Sequence, residues 1–288
     1  MSRNIVVTSN CQTGGLAAAL QVIFPRDSIR PMPINLFDRG GEFESNMNVV
    51  RGADIWVTSA APELLEFGPD GPQVVRTPTI NFEAFHPDIG YVLPAAQKAP
   101  IEPHYNSLIA VWAYVNGLDV KDAAKLFNHN AFRDLGYLSA WEHQAEQLQS
   151  DFVAAGVDFS RFFLFAKRQG AFMYSVNHPT ADVLVFLAKQ LSLKMGESEA
   201  IFDRDIKIPD GLASLIWPIY PDIAQYYSLQ GSYCWKLSDG HYLTDLPSYL
   251  EWAYGNMEQH RLEKNLIVLR RPIAELDQVL FNNFKMAA

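Results

Sequence analysis

Cys11 sits in the segment Thr8-Ser9-Asn10-Cys11-Gln12-Thr13, after the apolar run Ile5-Val6-Val7 and ahead of Gly14-Gly15. A thiol where an early strand ends and a helix begins is placed for nucleophilic work. Ligands of open α/β sheets bind at the carboxyl ends of strands. A helix N-terminus adds unpaired N–H groups and a positive dipole end, which lower a thiol's pKa. Gly14 and Gly15 let a substrate approach the backbone closely, and Asn10 and Gln12 can supply amide donors to an oxyanion. The competing reading is a small buried cysteine in a tight turn, the commoner fate of a free thiol.

His178 is the second candidate. Phe172-Met173-Tyr174-Ser175-Val176 leads into Asn177-His178-Pro179, and a helix is expected to open at Thr180. A histidine at that turn can face the same sheet edge as Cys11 and serve as general base or thiolate partner. His86 stands in a similar setting, after Thr79–Phe82 and before Pro87-Asp88. For either one the alternative is a turn histidine bonded to backbone. Arg26, Arg30, Arg39, Lys98, Lys167 and Arg168 are the cations that can hold an anionic ligand, with the adjacent Lys167-Arg168 the most suggestive. The aromatic groups Phe162-Phe163-Leu164-Phe165 and Tyr226-Tyr227 read as core, with a groove lining as the alternative.

Other chemistries lack their residues. Thr13-Gly14-Gly15-Leu16 does not have the GxGxxG spacing of a dinucleotide site, and GxxxxGK[ST] is absent. A cysteine-phosphatase loop needs an arginine soon after the thiol, where this chain has alanines. No Cys/His cluster points to a metal. With 23 basic and 32 acidic residues the 288-residue chain carries a formal charge of −9, which argues against broad nucleic-acid or anionic-membrane binding. Two cysteines build no disulfide framework. The longest apolar stretch, Leu108 to Val115, is far short of the ~20 residues that span a bilayer. Polar residues from Thr8 onward interrupt the N-terminal apolar run before it reaches signal-peptide length. A cytoplasmic, reducing location is expected.

The elements that must position Cys11 and the histidines read as α/β. Strands are expected at Ile5–Val7, Pro33–Phe37, Asp54–Thr58, Thr79–Phe82 and Gly170–Val176, with helices at Leu16–Ile23 and Ala181–Leu191. Between them, helices are expected at Ser107–Asn116, from an Asp119 cap through Phe127, and at Leu138–Gln149, following a link through Pro94, Pro100 and Pro103. Tyr249–Met257 reads as a late helix among Pro-broken loops. The expectation is one compact α/β domain with a small parallel sheet and a large helical elaboration. Residues 1–100 and 166–195 would form its core, 101–165 a helical insertion, and 196–288 a mainly helical C-terminal part.

Taken in order, Ser9-Asn10-Cys11-Gln12, Phe85-His86-Pro87-Asp88-Ile89, and Phe172-Met173 followed by Asn177-His178-Pro179 resemble three motifs of the WcbI-like polysaccharide-biosynthesis enzymes, assigned as O-acetyltransferases. The resemblance implies coenzyme A as ligand, with acetyl-CoA as donor, and a capsular or exopolysaccharide sugar as acceptor. It also implies a core like that of the SGNH hydrolases, with Cys11 in the place of their serine. Those esterases have an acidic residue three before the catalytic histidine, whereas this chain has Ser175. Asp182, Asp88 or a backbone carbonyl would then orient the histidine. The implied reaction is acyl transfer to a sugar hydroxyl, with Cys11, His178 and His86 as catalytic candidates. Asn10, Gln12, Gly14, Gly15, Lys167, Arg168 and Asn177 would hold the cofactor. The rivals are an esterase or thioesterase using water, and a non-catalytic CoA- or sugar-binding protein.

Overall fold

Ile5-Val6-Val7 and Ile55-Trp56-Val57 are buried along their whole length, as strands covered on both faces must be. The computed structural model describes residues 2–34, 42–59, 67, 70–93, 100–101, 104–264, 267–269 and 272–287. In chain order, residues up to 82 carry β1 (Asn4–Thr8), α1 (Thr13–Ile23), β2 (Ser28–Pro31), α2 (Phe43–Arg51), β3 (Ile55–Thr58) and β4 (Gln73–Arg76). There follow β5 (Ile89–Leu93), β6 (Asn106–Ser107), α3 (Leu108–Val115), α4 (Val120–Ala124), α5 (His129–Asp134), α6 (Ala140–Ala155), α7 (Phe159–Arg168) and α8 (Ala181–Leu193). The last part holds α9 (Pro221–Tyr226), β7 (Trp235–Lys236), β8 (Tyr242–Leu243), α10 (Leu246–Gln259), β9 (Ile267–Leu269) and α11 (Ile273–Ala287). Two compact units result. One comprises residues 1–82 and 145–214, the other 83–144 and 215–288.

The first unit is built on a four-stranded parallel sheet in the order β2-β1-β3-β4, with Val6 opposite Trp56 and Val57 opposite Val75. β1 and β3 are adjacent, while the chain runs from β1 to one side and from β3 to the other. Connections therefore diverge at their carboxyl ends, where α/β sheets form crevices. Met32, Met47, Val50 and Ala53 pack with Val6 and Trp56 in a buried cluster. α1 packs against α8 so closely that a Cβ on Gly15 would come within 2.5 Å of Leu184 Cδ1. The polar ends of the central strands are tied together. Trp56 Nε1 donates to Thr8 Oγ1 at 3.0 Å, and that hydroxyl donates to Thr58 Oγ1 at 2.8 Å.

The second unit pairs β5 antiparallel with β6 and β9, and packs aromatic rings around them. Trp235 and Tyr249 stack at 4.0 Å, for example. Asp88 lies fully buried there, accepting from Ile109 N at 3.1 Å, Tyr137 OH at 3.0 Å and Tyr220 OH at 2.9 Å. It thus closes the N-terminus of α3, together with Ser107, whose hydroxyl accepts from Ala110 N.

Several sequence expectations shift. The second strand is Ser28–Pro31 rather than Pro33–Phe37, of which 35–37 lie outside the described residues, as do Pro94 and Pro103. Thr79–Phe82 pairs with no strand of the sheet, and β4 takes the edge position instead. Gly170–Val176 is not a strand either. The Asn177-His178-Pro179 turn bends it back on itself, so that Tyr174 N donates to His178 O at 2.7 Å and Thr180 N to Phe172 O at 3.0 Å. The expected helices over 107–116, 138–149, 181–191 and 249–257 are present as α3, α6, α8 and α10, and Asp119 caps α4, which ends early at Ala124. α7 was not foreseen. Asp158 opens it by accepting from Arg161 N at 3.0 Å, and its buried Phe162 lies 4.4 Å from Phe152.

Candidate active site

Between β1 and α1 the chain turns through Ser9-Asn10-Cys11-Gln12, and Asn10 shapes the turn. Its Oδ1 accepts from Gln12 N at 3.0 Å, and its carbonyl accepts from Thr13 N at 3.1 Å and Thr13 Oγ1 at 2.8 Å. Cys11 is thereby presented at the start of α1, as the spacing predicts. No acidic side chain occupies the first turn of that helix. Cys11 lines a hollow of 340 Å³ with Gly14, Ala18, Leu184, Asp210 and Leu212, walled mainly by carbon.

Gln12 is not the ligand donor the sequence suggested. It is 2% exposed, and its Nε2 donates to Ile80 O at 2.8 Å and Asn177 O at 3.0 Å, while its Oε1 accepts from Ile80 N at 3.0 Å. All of the amide's reach goes into clasping the Cys11 turn to Ile80 and to the 177 turn. Asn177 enters through its carbonyl, which accepts from both Gln12 and Cys11 Sγ, the latter at 3.5 Å.

The thiol is correspondingly a proton donor. Part of Cys11 reaches solvent, but the surroundings of its sulfur push the pKa up from 9.0 to about 11. Burial is the larger cause, and the residue's own backbone N–H opposes it. The expected lowering by the helix terminus is therefore overturned: low-dielectric walls and a carbonyl acceptor favour S–H over thiolate.

His178 belongs to the same unit and is half-buried. Burial lowers its pKa below 6.5, and the Leu212 backbone beside the ring works the other way. Leu212 also lines the Cys11 hollow, so one loop touches both candidates. Of the three orienting groups considered for the histidine, a backbone group is the one found. Asp88 is committed to Tyr137, Tyr220 and Ile109 N, and Asp182 pairs with Lys207 at 3.3 Å.

The remaining candidates separate. His86 lies in the second unit, 2% exposed, and burial brings its pKa down from 6.5 to about 3, with the Trp217 backbone opposing. Burial thus keeps this ring neutral, and it does not line the Cys11 hollow. Lys167 and Arg168 stand in the last turn of α7, where cations complement the helix dipole, and they do not line the hollow. Arg26 and Arg30 do not line it either. Arg39 and Lys98 lie outside the described residues.

Sequence reasoning missed Asp210. Its Oδ2 accepts from Tyr174 OH at 2.8 Å and from Ala181 N, at the N-terminus of α8, at 3.2 Å. This carboxylate fastens the 209–212 loop over the hollow. The only cue was the turn-forming Pro209-Asp210-Gly211.

Comparison with known proteins then places the chain. Residues 4–199 match the family described as polysaccharide biosynthesis enzyme WcbI. The chain belongs to this family. The WcbI match takes in Cys11 and His178, and with it the chain is a polysaccharide biosynthesis enzyme, as the three motifs implied. A solved structure of WcbI is similar over 100% of this chain and 98% of that chain, with a TM-score of 0.71 and 17% identity. That protein is described as native and without a disulfide bond between coenzyme A and one of its cysteines. At this identity the likeness concerns the fold. No curated protein matches the chain.

Proposed function

We propose that the chain transfers an acyl group from an acyl-CoA thioester to a hydroxyl of a polysaccharide sugar, working at the Cys11 hollow. The observation that carries this reading is the shared wall: Cys11, the start of α1 and Leu212, whose backbone lies beside His178, border one apolar hollow. The residues present fit the thiol end of coenzyme A. The hollow is mainly carbon-lined, Gly14 leaves open space where a Cβ would stand, and a thiol lies in its wall. A cysteine named together with coenzyme A in the WcbI structure supports the same placement. The strand order 2-1-3-4, with the candidate nucleophile directly after β1, supports the SGNH-like core implied by the motifs.

When bound, acyl-CoA supplies an activated acyl carbon. Cys11 attacks that carbon, and neutral His178, its pKa lowered by burial, takes the thiol proton, which leaves with the departing thiol. The Gly14 and Gly15 N–H groups in the first turn of α1 and the Asn10 side-chain N–H stabilise the oxyanion. His178 then takes the proton of the sugar hydroxyl as its oxygen attacks the acyl carbon, the bond from that carbon to Cys11 Sγ breaks, and the proton passes to the released Cys11 sulfur. The raised Cys11 pKa favours a second reading, direct attack by the sugar hydroxyl with the thiol lining the site. Mass spectrometry of protein incubated with acetyl-CoA decides between them. One acetyl group on the Cys11 peptide is expected. Full turnover by Cys11→Ala would remove the covalent route, and acetate release without glycan acetylation would make the enzyme a hydrolase.

A further inference from the structure

A second hollow opens on the same edge of the parallel sheet. Thr58 and Arg76 are the last residues of β3 and β4, and with Ser59, Thr77, Thr79 and Asp151 of α6 they line a space of 160 Å³. Its lining differs in kind from that of the Cys11 hollow. Pro78, Ala154 and Ala155 complete the wall, Thr58 and Thr77 are buried with their hydroxyls bonded to Thr8 and to the Pro78 carbonyl, and Ser59, Thr79, Arg76 and Asp151 supply the polar groups. A multiply charged phosphate would meet repulsion from Asp151. A ring bearing several hydroxyls, each both donor and acceptor, can meet Ser59, Thr79, Arg76 and Asp151 with its polar edge and Pro78, Ala154 and Ala155 with its carbon face. At 160 Å³, close to the ~150 Å³ of a cavity that holds benzene, the space leaves room for one ring and no more.

The floor is fixed in place. Thr77 N donates to Thr58 O at 2.9 Å, Ser59 N to Thr8 O at 3.1 Å, and the Trp56–Thr8–Thr58 chain of hydrogen bonds sets the Thr58 hydroxyl as an acceptor of the Thr8 proton. The hollow also adjoins the clasp that holds Cys11, because Thr79 precedes Ile80, whose N–H and C=O both bind the Gln12 amide. β1 and β3 are neighbours in the sheet, so their carboxyl ends lie about 5 Å apart. A ring seated there stands beside the crevice that Cys11 occupies.

We infer that this hollow is the acceptor subsite and takes a single sugar ring of the polysaccharide through Arg76, Asp151 and the Ser59 and Thr79 hydroxyls. The choice of a sugar rests on the transferase reading, whereas the existence of a hydroxyl-binding site rests on the lining alone.

Threonine-methyl NMR of the full-length protein tests it, with methyl glucoside, methyl glucuronide and coenzyme A titrated separately. Either glycoside should move the Thr58, Thr77 and Thr79 methyls, and both Arg76→Gln and Asp151→Asn should weaken that binding about tenfold or more while leaving the spectrum folded. Coenzyme A should move the Thr13 methyl, next to the Cys11 turn. No glycoside response at the three methyls, or one untouched by both substitutions, overturns the subsite. If coenzyme A moves Thr13 and neither glycoside acts, the acceptor subsite fails and the transferase reading survives. If a glycoside acts and coenzyme A leaves Thr13 unmoved, the sugar site stands and the transferase reading fails.

Discussion

Cys11 is pulled two ways: it stands at a helix start that favours a thiolate, in a carbon-lined wall that favours the thiol, and the wall prevails. Its alkylation rate should therefore climb with a midpoint near pH 11, not 9, with Cys234 followed in the same digest. A midpoint at or below 9 would mean that the helix terminus dominates. His178 acts on protons, so His178→Gln should cut acetyl transfer by about 10²–10⁴-fold with little change in melting temperature. Gln12 is a different kind of residue, because its three hydrogen bonds are buried. Gln12→Leu would strand the Ile80 and Asn177 backbone groups and should lower unfolding free energy by about 2–4 kcal/mol in urea titrations.

The elements around the hollow divide its two glycines by role. Gly15 faces α8, where an added Cβ would meet the buried Leu184 at 2.5 Å. Gly15→Ala should destabilise the protein by about 1–3 kcal/mol, and the loss should shrink in a Leu184→Ala background. Gly14 has nothing within 4 Å. Gly14→Ala should hold or raise stability by up to about 1 kcal/mol yet weaken coenzyme A binding, because the methyl enters the hollow. The residues of this site were legible where chemistry and local pattern coincide. Cys11 follows the apolar run Ile5–Val7 and precedes a helix former, and His178 marks a turn before the apolar-rich helix α8. Phe85-His86-Pro87 has the same local grammar as Asn177-His178-Pro179, and the deeper burial of His86 is not legible from it. Gly170–Val176 reads as a strand because a turn that folds a segment onto itself leaves no trace in hydrophobic alternation. Asp210 was invisible because its partners, Tyr174 and Ala181, lie about thirty residues away in sequence.

Across the whole molecule, stability should respond to acid through two buried groups of the second unit. The unfolded chain protonates His86 near pH 6.5, whereas the folded chain resists until about 3, so acid costs stability through that window. Asp88 opposes this. Burial raises it from 3.8 to about 6 against its Ser107, Tyr220, Ile109 and Tyr137 hydrogen bonds, so the folded chain holds that proton more tightly and gains as pH falls from 6 to 3.8. Urea midpoints should thus stay nearly level between pH 6 and 3.8 and fall below 3.8, fall throughout from 6.5 toward 3 in Asp88→Asn, and rise between 6 and 3.8 in His86→Phe. Among the described residues no helix is long and apolar enough to cross a membrane. For the claim that coenzyme A ends at the Cys11 hollow, the most direct measurement is differential alkylation of the intact protein with and without saturating coenzyme A. Cys11 should become protected while Cys234 keeps its rate; equal labelling of Cys11 with coenzyme A demonstrably bound would contradict the account.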